Sequence, residues 1–378
     1  MSVFRRWLVL IVLAGASCAL ATTAAAAATT AKSTASVRDF KGWEVVCDNV
    51  KRCAAVGADE DNPSLVVWLW RDAGPDGAMK LQLAADKPLR ADQLRFDGRA
   101  FRIDASKTKA WQDKTAQTYA YRFATEDTAT VSAWIEAARD AHTMSFGDPA
   151  ASVTPGISLA GLSAALLAVD DMQGRVGTVT AWRRAGAAPA SSVPAAKPLP
   201  VVKGAPPVPD LSAAEQRRLI DVTFASVHAE VEQCDADNGA TDDTKGPHDG
   251  SRAVALSANE ALVSLACGDG SAYNNASLWY RVHRTAPFAV KPLALPGNTG
   301  TGDDGDSVPR NQLTGAFYNT DEGGLISFDR ARSVGDCGDS MTWVFDGANF
   351  VLAGDRFEGA CVGLLMDDWP WVYRTKRQ

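Results

Sequence analysis

The sequence predicts an α+β protein: two mainly antiparallel β domains, each with one or two packed helices, joined by a Pro/Ala-rich linker. Three observations carry that prediction. Short β-branched runs with period-two alternation recur between Gly, Asp, Asn and Pro turns in both halves. Three other segments space their apolar residues as a helix does. Between Pro189 and Pro209, prolines recur among alanines and valines, a composition that favours extended polyproline II and sustains neither a helix nor a central strand.

The chain has 378 residues. Its start reads as an export signal, with Arg5-Arg6, an apolar run from Trp7 to Leu13, and small residues from Ala14 to Ala28. The apolar run is shorter than the roughly 20 residues that span a bilayer. Ala19-Leu20-Ala21 fits a cleavage site, and the residue three before Cys18 is the small Gly15, which argues against a lipid anchor there. The expected division is signal and cleavage zone over 1–28, a disordered tail over 29–36, a first domain over 37–184, the linker over 185–210 and a second domain over 211–378. No later segment is long and apolar enough to cross a membrane, so the mature chain should be soluble and periplasmic or secreted.

In the first domain, Trp43 to Cys47 and Arg52 to Val56 read as a hairpin around Asp48–Lys51. Ser64 to Trp70 and Met79 to Leu83 read as strands about the turn Ala73-Gly74-Pro75-Asp76-Gly77, and Thr118 to Phe123 as another. Val131, Trp134, Ile135 and Ala138 mark a helix over 130–141. A second helix, apolar nearly all round, should run from Ser158, as its N-cap, to Val169 and be buried. Arg175 to Trp182 alternates as a last strand.

The second domain opens with Ser212-Ala-Ala-Glu215, a capping box. The helix behind it shows Leu219, Val222, Val227 and Val231 on one face, and short strands follow from Arg252. Phe96-Asp-Gly-Arg-Ala-Phe101 and Phe345-Asp-Gly-Ala-Asn-Phe350 share a turn chemistry in which Asp-Gly supplies positive-φ residues and two phenylalanines flank a hairpin.

Six cysteines remain after the signal: Cys47, Cys53, Cys234, Cys267, Cys337 and Cys361. An even number in an exported chain points to disulfides, and zinc spacing is absent. Cys47 and Cys53 stand alone in the first half and should pair. The other four allow three patterns, of which the nearest-neighbour one, Cys234–Cys267 with Cys337–Cys361, is favoured. Removing Arg5 and Arg6 takes the formal net charge from -7 to -9, which argues against nucleic acid or an anionic membrane as the partner.

The chemistry-bearing residues are scattered. Asp170, Asp171, Gln173 and Arg175 gather just after a helix and offer a binding surface, or a helix end satisfied locally. Trp68 and Trp70 share one strand face and are either a sugar platform or core. Asp235, Asp237, Asp242 and Asp243 form an oxygen-rich loop that departs from the EF-hand pattern, so it reads as a weak calcium candidate; Asp303, Asp304 and Asp306 read alike. The four histidines show no paired spacing, His228 reading as a core-edge residue, and no nucleophile elbow, phosphate loop or dinucleotide fingerprint occurs. No cofactor is expected.

Taken together, Phe40-Lys-Gly-Trp43-Glu-Val-Val-Cys47-Asp-Asn49, Arg52-Cys53, the helix from Ser158 with Asp170-Asp171-Met-Gln173-Gly-Arg175, the Pro-rich stretch, and Gly335-Asp336-Cys337-Gly338 with Trp343-Val-Phe-Asp346-Gly347 resemble the proteobacterial exported family catalogued as domain of unknown function 1176. The first half is also similar, more weakly, to the invasion-associated locus B proteins. The resemblance implies a periplasmic or envelope protein of a Gram-negative bacterium and transfers no catalytic residues. The expected function is therefore a non-enzymatic binding protein for a protein or glycan of the envelope. One alternative is a periplasmic lysozyme inhibitor, because Cys267-Gly-Asp-Gly-Ser271-Ala-Tyr273 resembles the Ser and Tyr that such inhibitors present around a cysteine. The other is a hydrolase using Asp170 and Asp171, disfavoured because adjacent residues of a helix point about 100° apart.

Overall fold

The computed structural model describes residues 36–58, 64–116, 118–147, 155–241, 246–270, 273–298 and 308–378. The export signal, Asp242, Asp243, Ser271, Asp303, Asp304 and Asp306 lie outside the described residues. Within them the architecture is α+β, mostly antiparallel sheet with three α-helices.

Seven antiparallel strands form the main sheet of the first half, ordered Ser36–Phe40, Trp43–Cys47, Cys53–Ala58, Leu65–Arg71, Met79–Ala85, Tyr121–Thr125 and Lys109–Gln112. Successive side chains alternate between its faces. One face, with Val45, Ala55, Val67, Leu81 and Phe123, packs beneath α1 (Thr128–Ala138) and α2 (Leu162–Met172). The other face, with Ala54, Val56, Val66, Trp68 and Ala84, is closed by Val362, Leu364 and Trp369 from the end of the chain. A sheet covered on both sides needs near-continuous apolar strands, and Leu65-Val66-Val67-Trp68-Leu69 is buried throughout.

A smaller sheet runs Gly156–Ser158, Thr143–Phe146, Leu94–Phe96 and Arg99–Ala100. Its hairpin uses Asp97 and Gly98 at φ 47° and 75°, and Phe96 and Phe101 meet edge to face at 5.4 Å. Phe345 and Phe350 also lie 5.4 Å apart, but with their rings tilted at 45°. In the second turn Gly347 alone is at positive φ, 103°, while Asp346 accepts from Ala348 and Asn349 N–H.

Two local expectations need correction. Helix α2 begins at Leu162 behind Gly161, whose φ of 103° makes the turn, while Ser158 ends a strand. Arg175 to Trp182 forms no strand; Gly174 and Gly177 at positive φ turn the chain back, and Asp170 captures the N–H groups of Trp182 and Arg183 at 2.9 and 2.7 Å.

The second half is layered. Helix α3 (Ala213–Asp237) is capped by Ser212, whose hydroxyl accepts from Glu215 N–H at 3.2 Å. The Glu215 side chain turns to Arg284 instead of completing the box. Leu219, Ile220, Val227 and Val231 of α3 pack on a sheet built around Glu260–Cys267 and Ala276–His283. The opposite face of that sheet, through Leu262 and Trp279, packs on Leu325, Trp343 and Phe345 of a second sheet ordered Phe317–Asn319, Gly324–Arg330, Gly338–Phe345, Phe350–Glu358 and Trp371–Arg374. His228, read from the sequence as a core-edge residue, projects from α3 with half its side chain exposed and its ring edge-on to Phe224.

Disulfides join Cys47 to Cys53, Cys234 to Cys267 and Cys337 to Cys361. Cys47 and Cys53 are direct partners across the hairpin. The Pro-rich stretch is extended and touches both halves: Thr178 bridges to Ala188, Val201–Val202 pairs in parallel with Lys376–Arg377, and Ala205 N–H donates to Phe345 O at 2.8 Å. Arg122 reaches Asp368 at 2.6 Å, and Asp48 pairs with Arg374, so the described residues from Ser36 to Gln378 fall in one compact unit. Among the described residues no helix is long and apolar enough to cross a membrane.

Candidate functional site

A concavity of about 750 Å³ opens in the second half, between the two sheets beside Trp279. Its floor comes from adjacent strands on which Ser264 lies directly opposite Trp279, and Ala266 opposite Ser277. Partners across a strand pair share a face, so these side chains all look toward the second sheet. Trp279 is held by its indole N–H, which donates to Ser277 Oγ at 2.8 Å. Phe317 and Tyr318 enter from the second sheet, and Phe317 is 53% exposed.

Arg252 and Arg330 supply positive charge at the margins. Arg330 donates to Tyr273 O at 2.6 Å and lies over the Phe328 ring at 4.6 Å, which fixes the turn carrying Tyr273. Asn274 reinforces it through Asp329 Oδ1 at 2.8 Å and Arg330 O at 2.9 Å. The cleft thus combines aromatic faces with fixed hydrogen-bonding groups. Its cysteine, Cys267, is committed to a disulfide, and no histidine lines it among the described residues.

The residues singled out in the sequence fall in different places. Asp170 and Arg175 form no surface: both are 0% exposed. Arg175 donates from Nε to Gln173 Oε1 at 2.7 Å, from Nη1 to Thr180 Oγ1 at 3.1 Å and from Nη2 to Asp72 O at 3.2 Å. Gln173 in turn donates to Lys51 O at 2.7 Å and Arg71 O at 3.0 Å. The cluster ties the end of α2 to two turns of the main sheet, so the expected binding surface is an internal girder. Burial pushes the Asp170 carboxyl up, and the donors on it oppose that; burial lowers Arg71 to about 10. Asp171 is the exposed member, 3.8 Å from Arg38.

Trp68 is 1% exposed and belongs to the core beneath Trp369. Trp70 is half-buried on the same face, with the Arg52 guanidinium 4.9 Å above its ring. Asp235 is spent on Gly268 N–H at 2.7 Å, and Asp237 accepts from Gln233 Nε2 at 2.8 Å. Of the described candidates for binding and metal ligation, Tyr273 and Asp235 border the cleft. Its remaining lining was missed because strand pairing, which sets Ser264 beside Trp279, is not written in local sequence.

Comparison with known proteins identifies the family. Residues 37–376 match the model described as protein of unknown function (DUF1176), and the chain belongs to that family. It is 29% identical over 351 residues to the uncharacterized protein YpfG of Escherichia coli (strain K12), across 90% of this chain and 93% of that protein. These comparisons do not show the weaker likeness to invasion-associated locus B proteins. No solved structure matches.

Proposed function

We propose that this is an exported envelope protein that works by binding rather than by catalysis, and that the cleft beside Trp279 holds its partner, a glycan or protein segment of the cell envelope. The cleft carries the reading. It pairs an exposed aromatic, Phe317, with a buried one, Trp279, and sets Arg252 and Arg330 around them. Aromatic faces beside fixed polar groups suit sugar rings and the side chains of a protein loop. Three disulfides suit an oxidising compartment outside the cytoplasm.

The test is affinity capture from envelope extract with the full mature chain and with the double variant Phe317→Ala, Arg252→Ala. Both side chains are exposed, so folding should change by less than about 0.5 kcal/mol per site. The wild type should enrich a specific partner that the variant loses. Equal recovery by both, or none by either, removes the proposal.

Tyr273 at the cleft favours a second reading, inhibition of a basic lysozyme by this acidic chain. A turbidity assay with no inhibition at micromolar protein would dispose of it.

A further inference from the structure

A second pocket, of about 290 Å³, lies where the first hairpin meets the end of the second sheet. Two carboxyls line it: Glu44 from the strand Trp43–Cys47 and Glu358 from the end of the strand Phe350–Glu358. Glu44 is 5% exposed and Glu358 0%. Each has one oxygen served by the backbone. Gly359 N–H donates to Glu44 Oε2 and Ala360 N–H to Glu358 Oε1, both at 3.2 Å. The other oxygens, Glu44 Oε1 and Glu358 Oε2, are buried and have no hydrogen-bond partner among the described residues.

A buried polar atom left without a partner costs free energy that packing does not return. Two such atoms on like-charged groups in one pocket cost more, and a scaffold needs neither. The backbone has also been brought unusually close: a Cβ on Gly359 would lie 2.6 Å from Glu44 Oε2. Around the carboxyls stand Val56, Phe357 and Val362, so the walls are apolar. Asp39 and Lys41 border the pocket from outside and are exposed. Asp336, which also acts on Glu358, is neutralised by Arg332 and accepts from Gly363 N–H at 2.7 Å.

We propose that this pocket is a cation site that takes the ammonium head of a small organic amine between Glu44 and Glu358, with the alkyl part against Val56 and Phe357. An ionised carboxylate is an acceptor only, and an ammonium brings three donors with a compensating charge. The pocket is larger than a bare ion needs, and its apolar wall suits a short alkyl chain. Without the amine, burial, and then Asp39, raise Glu44 to about 7; burial, and then Glu44, raise Glu358 well above the usual carboxylate range. Binding therefore exchanges a proton for the ammonium. A carboxylic acid and R–NH3+ become a carboxylate–ammonium pair, and one proton leaves to solvent for each carboxyl that ionises.

The experiment is calorimetric titration of the full mature chain with 1,4-diaminobutane, in two buffers of different ionisation enthalpy, with calcium and magnesium chlorides as separate arms. Saturable binding should release protons and tighten as pH rises from about 5.5 to about 8. Glu44→Gln and Glu358→Gln should each weaken it by about tenfold or more while melting no lower than the wild type. No saturable binding of the amine in the millimolar range overturns the proposal. So does binding that ignores both substitutions, or a site that takes either metal ion and is not competed by the amine. The wild-type pH dependence stands as the test if a variant fails to fold.

Discussion

Two of the regions in which the chain buries ionisable groups treat them in opposite ways. At the end of α2, Asp170 and Arg175 are fully buried, and each is met by several fixed partners. At the junction of the halves, Glu44 and Glu358 are equally hidden, yet one oxygen of each meets nothing among the described residues. The first arrangement is how a fold uses charge: polar groups satisfy backbone groups that no helix or strand reaches. The second holds two carboxyls together with a single backbone donor each.

The largest expected effect breaks the first region. Asp170→Ala removes the acceptor for Trp182 and Arg183 N–H and strips the nearest carboxylate from Arg71 and Arg175. Removing one member of a buried charged set costs about 3–5 kcal/mol. Urea unfolding followed by tryptophan fluorescence should show that loss; a shift below 1 kcal/mol would mean the network carries little.

The second region should reverse the sign. Glu44 has its folded pKa raised from 4.5 to about 7. Its favourable share of stability is complete below the unfolded value and is lost as pH rises through the folded one. The wild-type unfolding free energy should therefore fall between about pH 4.5 and 7, by on the order of 3 kcal/mol. Glu44→Gln should flatten that window and be the more stable protein at its upper end. Burial also raises Asp339 and Asp355, which interact with each other, so part of the slope persists in the variant. A wild-type profile that is flat across the window removes the inference.

Much of this fold could be read from the sequence, and the limits have physical causes. The hairpin of Cys47 and Cys53 was legible because strand alternation, turn and disulfide agree within a dozen residues. The Asp97-Gly98 turn was legible for the same reason. Asp170 to Arg175 showed as a polar cluster but not as an internal one, because the turns it braces, at Lys51, Arg71 and Asp72, lie more than a hundred positions away. Glu44 did leave a signal. It sits inside Trp43-Glu-Val-Val-Cys47, where an acid in a strand covered on both faces must be either paired or functional. Reading it required knowing that residues near 360 cover that sheet, and nothing local states this.

Gly359→Ala tests the close approach at the second region. The new Cβ would meet Glu44 Oε2 at 2.6 Å and the Phe357 ring at 3.2 Å. Both neighbours are packed, so the variant should lose about 1–3 kcal/mol in the same urea assay. A neutral result would mean that Glu44 swings aside freely and that the pocket is not preorganised.

The smallest effect belongs at the surface, where neither rule of burial applies. The Arg52 guanidinium lies 4.9 Å over Trp70, and its Nε is 3.2 Å from Asp72 Oδ1. About a third of the Arg52 side chain and half of that of Asp72 remain in water, so solvent screens the pair and competes for both ions. What survives is mainly the stacking of a weakly hydrated cation on the indole. Arg52→Ala should therefore cost only about 0.5–1 kcal/mol, and the loss should barely change in high salt. A salt-sensitive loss would show the carboxylate, and not the ring, to be the main partner. A loss as large as that of Asp170→Ala would erase the distinction, because an exposed cation would then matter as much as one held by partners on every side.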